Sequence, residues 1–84
     1  MSKDEIFQKV RTILTDNLAC EAEVKPESII TTELGLDSID VIELVMECEK
    51  QFGIAIPDDT MDRIYKVDDI VNVIMTSKIN GWSR

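Results

Sequence analysis

The chain has 84 residues, 44% of them hydrophobic and 5% aromatic, which predicts one small domain with a mostly aliphatic core and excludes a second domain. Its 17 acidic and 9 basic residues give a formal net charge of -8, so nucleic acids and anionic membrane surfaces are poor partners and basic protein surfaces are favoured. No apolar run approaches the roughly 20 residues of a membrane span, and the N-terminus lacks the basic and apolar regions of a signal peptide.

The cysteines and the acidic clusters predict no metal site. Cys20 and Cys48 are too few for a disulfide framework, and the chain has no histidine, which favours a reduced, cytoplasmic setting. The carboxylates of Asp58, Asp59 and Asp62 lack the glycine and the ligand spacing of a calcium loop. We therefore expect at most a loose counterion at this cluster.

The first helix is predicted over about residues 3–18. Ser2 and Glu5 have the spacing of a capping box. They precede apolar residues at helical spacing, namely Ile6, Phe7, Val10, Ile13, Leu14 and Leu18. From residue 19 to residue 36 the periodicity lapses around Pro26, but enough apolar residues follow to hold a long, ordered loop on the core.

The second helix is predicted over about residues 38–51. Asp37 is a good N-cap, and Gly53 is a typical C-terminal stop. The helical spacing indicates an inward stripe formed by Ile39, Ile42, Val45 or Met46, and Phe52. Of the two adjacent alternatives, we expect Met46 to be at least partly exposed.

Two further helices are predicted after Gly53. Pro57 opens a short helix through about Ile64, and no partner strand is available for the apolar run before it. A last helix begins near Val67, where Lys66 is a poor cap, so its start is expected to fray. The predicted domain is 1–76, followed by a mobile C-terminal tail, 77–84. The fold class is thus all-α: a small up-and-down four-helix bundle, with three longer helices, one short helix and a long first loop.

Ser38 is the main candidate functional residue. It lies between Asp37 and Asp40 at the start of the second helix, where its hydroxyl can face solvent and free backbone amides favour an attached phosphate. Gly35 gives the chain the freedom for a tight approach to this helix. A serine at such a position is more often only a cap, and no neighbouring histidine or lysine could activate it as a hydrolase nucleophile.

The segment 34–44 reads LGLDSIDVIEL. It resembles the frame of acyl carrier proteins, which is Leu-Gly-x-Asp-Ser-Leu-Asp-x-x-Glu-Leu, and the resemblance extends over roughly residues 2–76. The resemblance implies that a separate transferase moves 4'-phosphopantetheine from coenzyme A to Ser38. The thiol of this cofactor would then carry acyl chains as thioesters, so the chain itself would not be an enzyme. Type II fatty-acid synthesis is the implied pathway. Because Ile39 replaces the usual leucine, specialised carriers for polyketide, lipid A or aminoacyl pathways remain open.

The resemblance also implies a partner-binding surface on the second helix. Its residues are Asp37, Asp40, Glu43, Met46 and Glu47, and its partners are phosphopantetheinyl transferase and synthase enzymes with basic patches. The protein is expected to be a monomer. From composition alone, these acidic residues are more readily explained as an ordinary solvated helix face.

In the same family the acyl chain lies between the second helix and the two that follow. This implies a pocket formed by Phe52, Ile56, Met61, Ile64 and Ile70, although such residues are normally core. Two rival functions remain from the sequence. One is an unmodified acidic helical module that binds basic partners, and the weaker one is a calcium sensor.

Overall fold

The computed structural model describes residues 2–80 and, within them, every side chain except those of residues 58 and 78–80. Helix α1, Lys3–Asp16, begins with the predicted capping box: Ser2 Oγ accepts a hydrogen bond from Glu5 N at 3.3 Å, and Ser2 N donates to Glu5 Oε1 at 3.5 Å. The helix ends earlier than expected because the backbone of Ala19 is left-handed, with a φ of 53°.

The long first loop is ordered by the segment that leads into the last helix. Ile30 N donates to Tyr65 O and Val67 N donates to Ser28 O, each at 3.0 Å, on either side of an isolated antiparallel bridge between Ile29 and Lys66. The loop also contributes apolar side chains to the core, namely Val24, Ile30, Leu34 and Leu36. The expectation of a long but ordered loop is therefore confirmed.

Helix α2, Ser38–Phe52, has the predicted N-cap, Asp37, and ends at Gly53, whose φ of 65° is left-handed. The prediction of its inward stripe was partly wrong. Ile39 is 66% exposed and Ile42 is 44% exposed, whereas the buried face consists of Leu44, Val45, Cys48 and Phe52. At 100° per residue, the centre of that buried face lies more than a right angle away from both isoleucines, so they point to solvent.

The short helix after Pro57 is a 3-10 helix, Asp58–Arg63. Helix α3, Val67–Asn80, follows it, and its start is better held than the sequence suggested. Asp69 Oδ2 accepts hydrogen bonds from Tyr65 N at 2.9 Å and from Lys66 N at 2.8 Å. The prediction of fraying at Lys66 did not include this carboxylate, which caps the free backbone amides before α3 from a position within its first turn.

The boundary drawn at residue 77 also needs correction. Helix α3 continues through Asn80, and the side chain of Ser77 is buried, with its Oγ donating to Val73 O at 2.9 Å. The helical periodicity fades in this last turn because a serine replaces an apolar residue on the buried face. The rest of the predicted tail, including Trp82, lies outside the described residues.

The three α-helices form an all-α bundle, as predicted, and the fourth helix of the prediction is the 3-10 helix. Within this bundle α1 packs against both α2 and α3. The core between them is almost wholly aliphatic; its side chains with less than 2% exposure include Ile6, Leu14, Leu44, Ile70 and Ile74. Across residues 2–80, no helix is both long and apolar enough to cross a bilayer.

Candidate functional site

Ser38 is the first residue of α2, and its side chain is exposed. The two flanking aspartates fix its backbone through a reciprocal capping box. Asp37 Oδ1 accepts from Asp40 N at 2.9 Å, and Asp40 Oδ2 accepts from Asp37 N at 3.3 Å. Within residues 2–80, the Ser38 hydroxyl bonds to no other group, so the turn is rigid while the oxygen stays available.

The chain reaches this turn through Gly35, whose φ of 71° is left-handed. This confirms the expected backbone freedom, and because a Cβ at Gly35 would meet no atom within 4 Å, the glycine is needed for its backbone conformation and not for a close contact. The residues on either side, Leu34 and Leu36, are both buried in the core. The start of α2 is thereby anchored directly before the exposed serine.

The backbone amides of Ser38 and Ile39 have no acceptor among the described groups, since the capping box uses only the amides of Asp37 and Asp40. Free amides at a helix start can stabilise a phosphate ester. The carboxylates of the two aspartates would repel a phosphate ester, so the free amides are the groups that stabilise it. The geometry fits an exposed, phosphate-bearing attachment point.

Ser38 lacks the apparatus of a hydrolytic nucleophile. The chain contains no histidine, and the carboxylates of Asp37 and Asp40 are occupied by capping. A serine hydroxyl needs an adjacent base to become nucleophilic at neutral pH. Within residues 2–80 no group accepts a hydrogen bond from this hydroxyl, so the structure shows no base positioned to activate it.

An acidic face runs along α2 from this turn. Asp40, Glu43 and Glu47 share one side of the helix, and none of these three forms an ion pair with a described residue. Glu47 Oε1 accepts a hydrogen bond from Gln51 Nε2 at 3.1 Å. This face is open to cations from outside the protein.

Beside the acidic face lies an exposed apolar stripe, Ile39, Ile42 and Met46. Met46 is 59% exposed while Val45 is buried, which confirms the expectation for this pair. The sequence analysis placed Ile39 and Ile42 on the buried face and so missed them as surface residues. The spacing of the stripe, i, i+3 and i+7, was the available signal, because α2 has more apolar positions than one buried face can hold.

The five residues of the expected acyl pocket either belong to the hydrophobic core or pack against it. Phe52, Ile56 and Ile70 are buried, and Met61 and Ile64 pack half-buried against the same core. Glu49 ties this region to α2, because its Oε2 accepts from Ile56 N at 2.7 Å.

Neither cysteine contributes a reactive thiol to the site. Cys48 is buried, and this burial, together with the nearby carboxylates of Glu47 and Glu49, raises the pKa of its thiol from 9.0 to about 12. Cys20 is half-buried at the start of the first loop. Among the described residues, no group of three or more acidic, cysteine or histidine side chains could hold a metal ion.

Comparison with known proteins gives the class of this domain. The family described as "Phosphopantetheine attachment site" matches residues 8–74. An acyl carrier protein from Thermotoga maritima is similar at 32% identity and a TM-score of 0.85, over 95% of this chain and 94% of that chain. An acyl carrier protein from Enterococcus faecalis is similar at 32% identity and a TM-score of 0.75, over 92% of this chain and 99% of that chain.

This chain therefore belongs to the phosphopantetheine-attachment family, as an acyl carrier protein. Proteins of this family hold 4'-phosphopantetheine covalently on a serine and interact with a phosphopantetheinyl transferase and with synthase enzymes. They are carriers and not themselves enzymes.

Proposed function

We propose that Ser38 is the attachment residue and that the protein carries acyl intermediates for type II fatty-acid synthesis. The observation that carries the assignment is the difference in exposure between two serines. The matched residues 8–74 contain only Ser28 and Ser38. Ser28 is 3% exposed, and its Oγ accepts from Lys25 N at 2.9 Å. Only Ser38 offers its oxygen to an approaching enzyme.

Loading of Ser38 would be a transfer of phosphopantetheine from coenzyme A. The Ser38 oxygen attacks the phosphorus that bears pantetheine in coenzyme A, an O–P bond forms, the pyrophosphate bond breaks, and adenosine 3′,5′-bisphosphate leaves. The transferase supplies the base that takes the hydroxyl proton, because this chain offers none there. Once attached, the cofactor supplies a thiol that carries acyl groups as thioesters.

The free amides of Ser38 and Ile39 would stabilise the resulting phosphodiester. The Asp37–Asp40 capping box keeps the first turn of α2 rigid, so the tether leaves the protein in a defined direction. No other described side chain bonds to the serine oxygen, which leaves the tether free to swing between partners.

Partner enzymes would dock on α2 through the acidic residues Asp37, Asp40, Glu43 and Glu47. The exposed apolar stripe would fill the centre of this contact. Each exposed ion pair contributes roughly 0 to 1 kcal/mol, so several must act together and mainly accelerate association with a basic patch. Met46 suits such a surface because its flexible side chain adapts to different partners.

The acyl chain would be sheltered by Phe52, Ile56, Met61, Ile64 and Ile70. Each methylene moved from water into this region gains about 0.8 kcal/mol, which offsets the cost of opening the closed core. Met61 and Ile64 are the half-buried members and lie nearest to solvent. They are the residues that would move first to admit a chain.

The assignment of Ser38 is tested by incubating the protein with coenzyme A and a broad-range phosphopantetheinyl transferase, followed by intact-protein mass spectrometry. We expect the wild type and Ser28→Ala to gain the cofactor mass and Ser38→Ala to gain none, with unchanged circular dichroism. Loading of Ser38→Ala would contradict the proposal. Failure of the wild type to load would favour an unmodified interaction module.

The pathway is tested with the loaded protein. We expect the loaded protein to accept malonyl groups and to support ketosynthase condensation with enzymes of type II fatty-acid synthesis. These enzymes act in the cytoplasm, a reducing compartment in which both cysteines stay free. We also expect a monomer by light scattering. Acceptance of an aminoacyl, polyketide or lipid A precursor group in place of malonyl would assign a specialised carrier.

A further inference from the structure

A groove of about 510 Å³ lies between the end of α1 and the middle of α2. Ile13 and Leu18 of the α1 side line it, with Ile13 fully buried at its base, and Met46 lines it from α2. Met46 also ends the exposed apolar stripe of α2. The groove is therefore continuous with the surface through which partners are proposed to dock.

The charge around this groove is unbalanced. Glu43, Glu47 and Glu49 line it against a single cation, Lys50. Glu43 and Glu47 form no ion pair with any described residue, whereas Glu49 is engaged by Ile56 N. A ligand with a positive charge beside an apolar group would thus be stabilised by both the acidic and the apolar residues of the groove.

The end of α1 adds to the negative potential. Its last turn carries no basic residue, and Asn17, the C-cap, lines the groove. The carbonyl groups at a helix C-terminus carry partial negative charge, which favours a nearby cation. The same potential disfavours a second copy of this acidic chain and any anionic lipid.

We infer that the groove between α1 and α2 is a second docking subsite, which receives an apolar side chain flanked by arginine or lysine on a helix of a partner protein. This inference deepens the proposed partner surface by extending it from α2 onto α1. Leu18 and Met46 would contact the apolar side chain, while Glu43 and Glu47 would pair with the basic groups.

The test uses the full chain in its phosphopantetheine-loaded form and a synthetic amphipathic helical peptide of leucine and arginine. In ¹⁵N-labelled protein, the peptide should shift the amide signals of residues 13–18 as well as those of α2. Shifts confined to the first turns of α2 would overturn the inference. Signals that move on concentrating the protein alone would assign the groove to self-association and also overturn it.

A matched pair of variants tests the charge argument. Asn17→Lys puts a cation into the groove, and Gln8→Lys makes the same charge change on an exposed position of α1 that does not line it. We expect Asn17→Lys to weaken peptide binding about fivefold and Gln8→Lys less than twofold. Equal effects would overturn the inference. Peptide binding is measured on protein whose complete loading at Ser38 has first been verified by mass spectrometry, which keeps this result separate from the proposed attachment site.

Discussion

Asp37 and Asp40 cap each other across Ser38, each carboxylate accepting a hydrogen bond from the backbone amide of the other. Removing the N-cap in Asp37→Ala should lower the free energy of unfolding by about 1 kcal/mol, because the Asp40 amide loses its acceptor. Asp37→Asn keeps an acceptor oxygen and should change stability little. Urea denaturation followed by circular dichroism measures both, and an equal loss in the two variants would show that charge, and not capping, stabilises the turn.

The exposed isoleucines of α2 should matter for partners and not for stability. Ile39→Gln and Ile42→Gln should change the free energy of unfolding by no more than about 0.5 kcal/mol, since both side chains face solvent. Leu44→Ala, on the buried face, should lower it by about 2–5 kcal/mol. Loading kinetics with the transferase should show a reduced kcat/KM for the two glutamine variants. A large stability loss in either of them would place these side chains in the core.

These same residues show where sequence reasoning succeeded and failed. Caps at Ser2, Asp37 and Gly53 were predictable because they depend on local chemistry within a few residues. The orientation of Ile39 and Ile42 was not, because helical spacing gives relative angles but does not say which of two apolar stripes meets the core.

The site was predictable to a similar extent. The presentation of Ser38 follows from its place at a capped helix start, which the sequence displays. The groove between α1 and α2 was not predictable, since it depends on how the end of α1 packs beside Met46, and the burial of Ser28 depends on backbone contacts with Val67 far along the chain.

The buried Cys48 thiol gives the protein a specific alkaline instability. Below pH 9 both folded and unfolded chains keep the thiol proton, so this group contributes no pH dependence. Between pH 9 and about 12 only the folded protein keeps it, because the folded pKa is raised from 9.0 to about 12. The free energy of unfolding should therefore fall by about 1.4 kcal/mol for each pH unit in this window through this group.

Urea unfolding at several pH values checks this expectation. The alkaline slope should be smaller in Cys48→Ala and unchanged in Cys20→Ala, the half-buried control. Iodoacetamide at neutral pH should modify Cys20 well before Cys48. Rapid modification of Cys48 in the folded protein would contradict the raised pKa.

The left-handed Ala19 is a site where the sequence can be improved. With a φ of 53°, its Cβ is strained, so Ala19→Gly should raise the free energy of unfolding by about 0.5–1 kcal/mol. Ala55→Gly is the matched control, at an exposed alanine without positive φ, and should lower stability by about 0.4–1 kcal/mol. Thermal unfolding of the two variants should thus shift in opposite directions, and a shared direction would refute the strain at Ala19.

The pairing of the first loop with the start of α3 makes the serine turn dependent on a remote part of the chain. Ser28 and Ile30 exchange backbone hydrogen bonds with Val67 and Tyr65, and Asp68 N donates to Pro26 O at 2.8 Å. A chain stopped before Tyr65 would leave these loop groups to water. The turn that holds Ser38 would then lose this support even with every residue of α2 intact, so the ordered serine turn depends on the segment that starts α3.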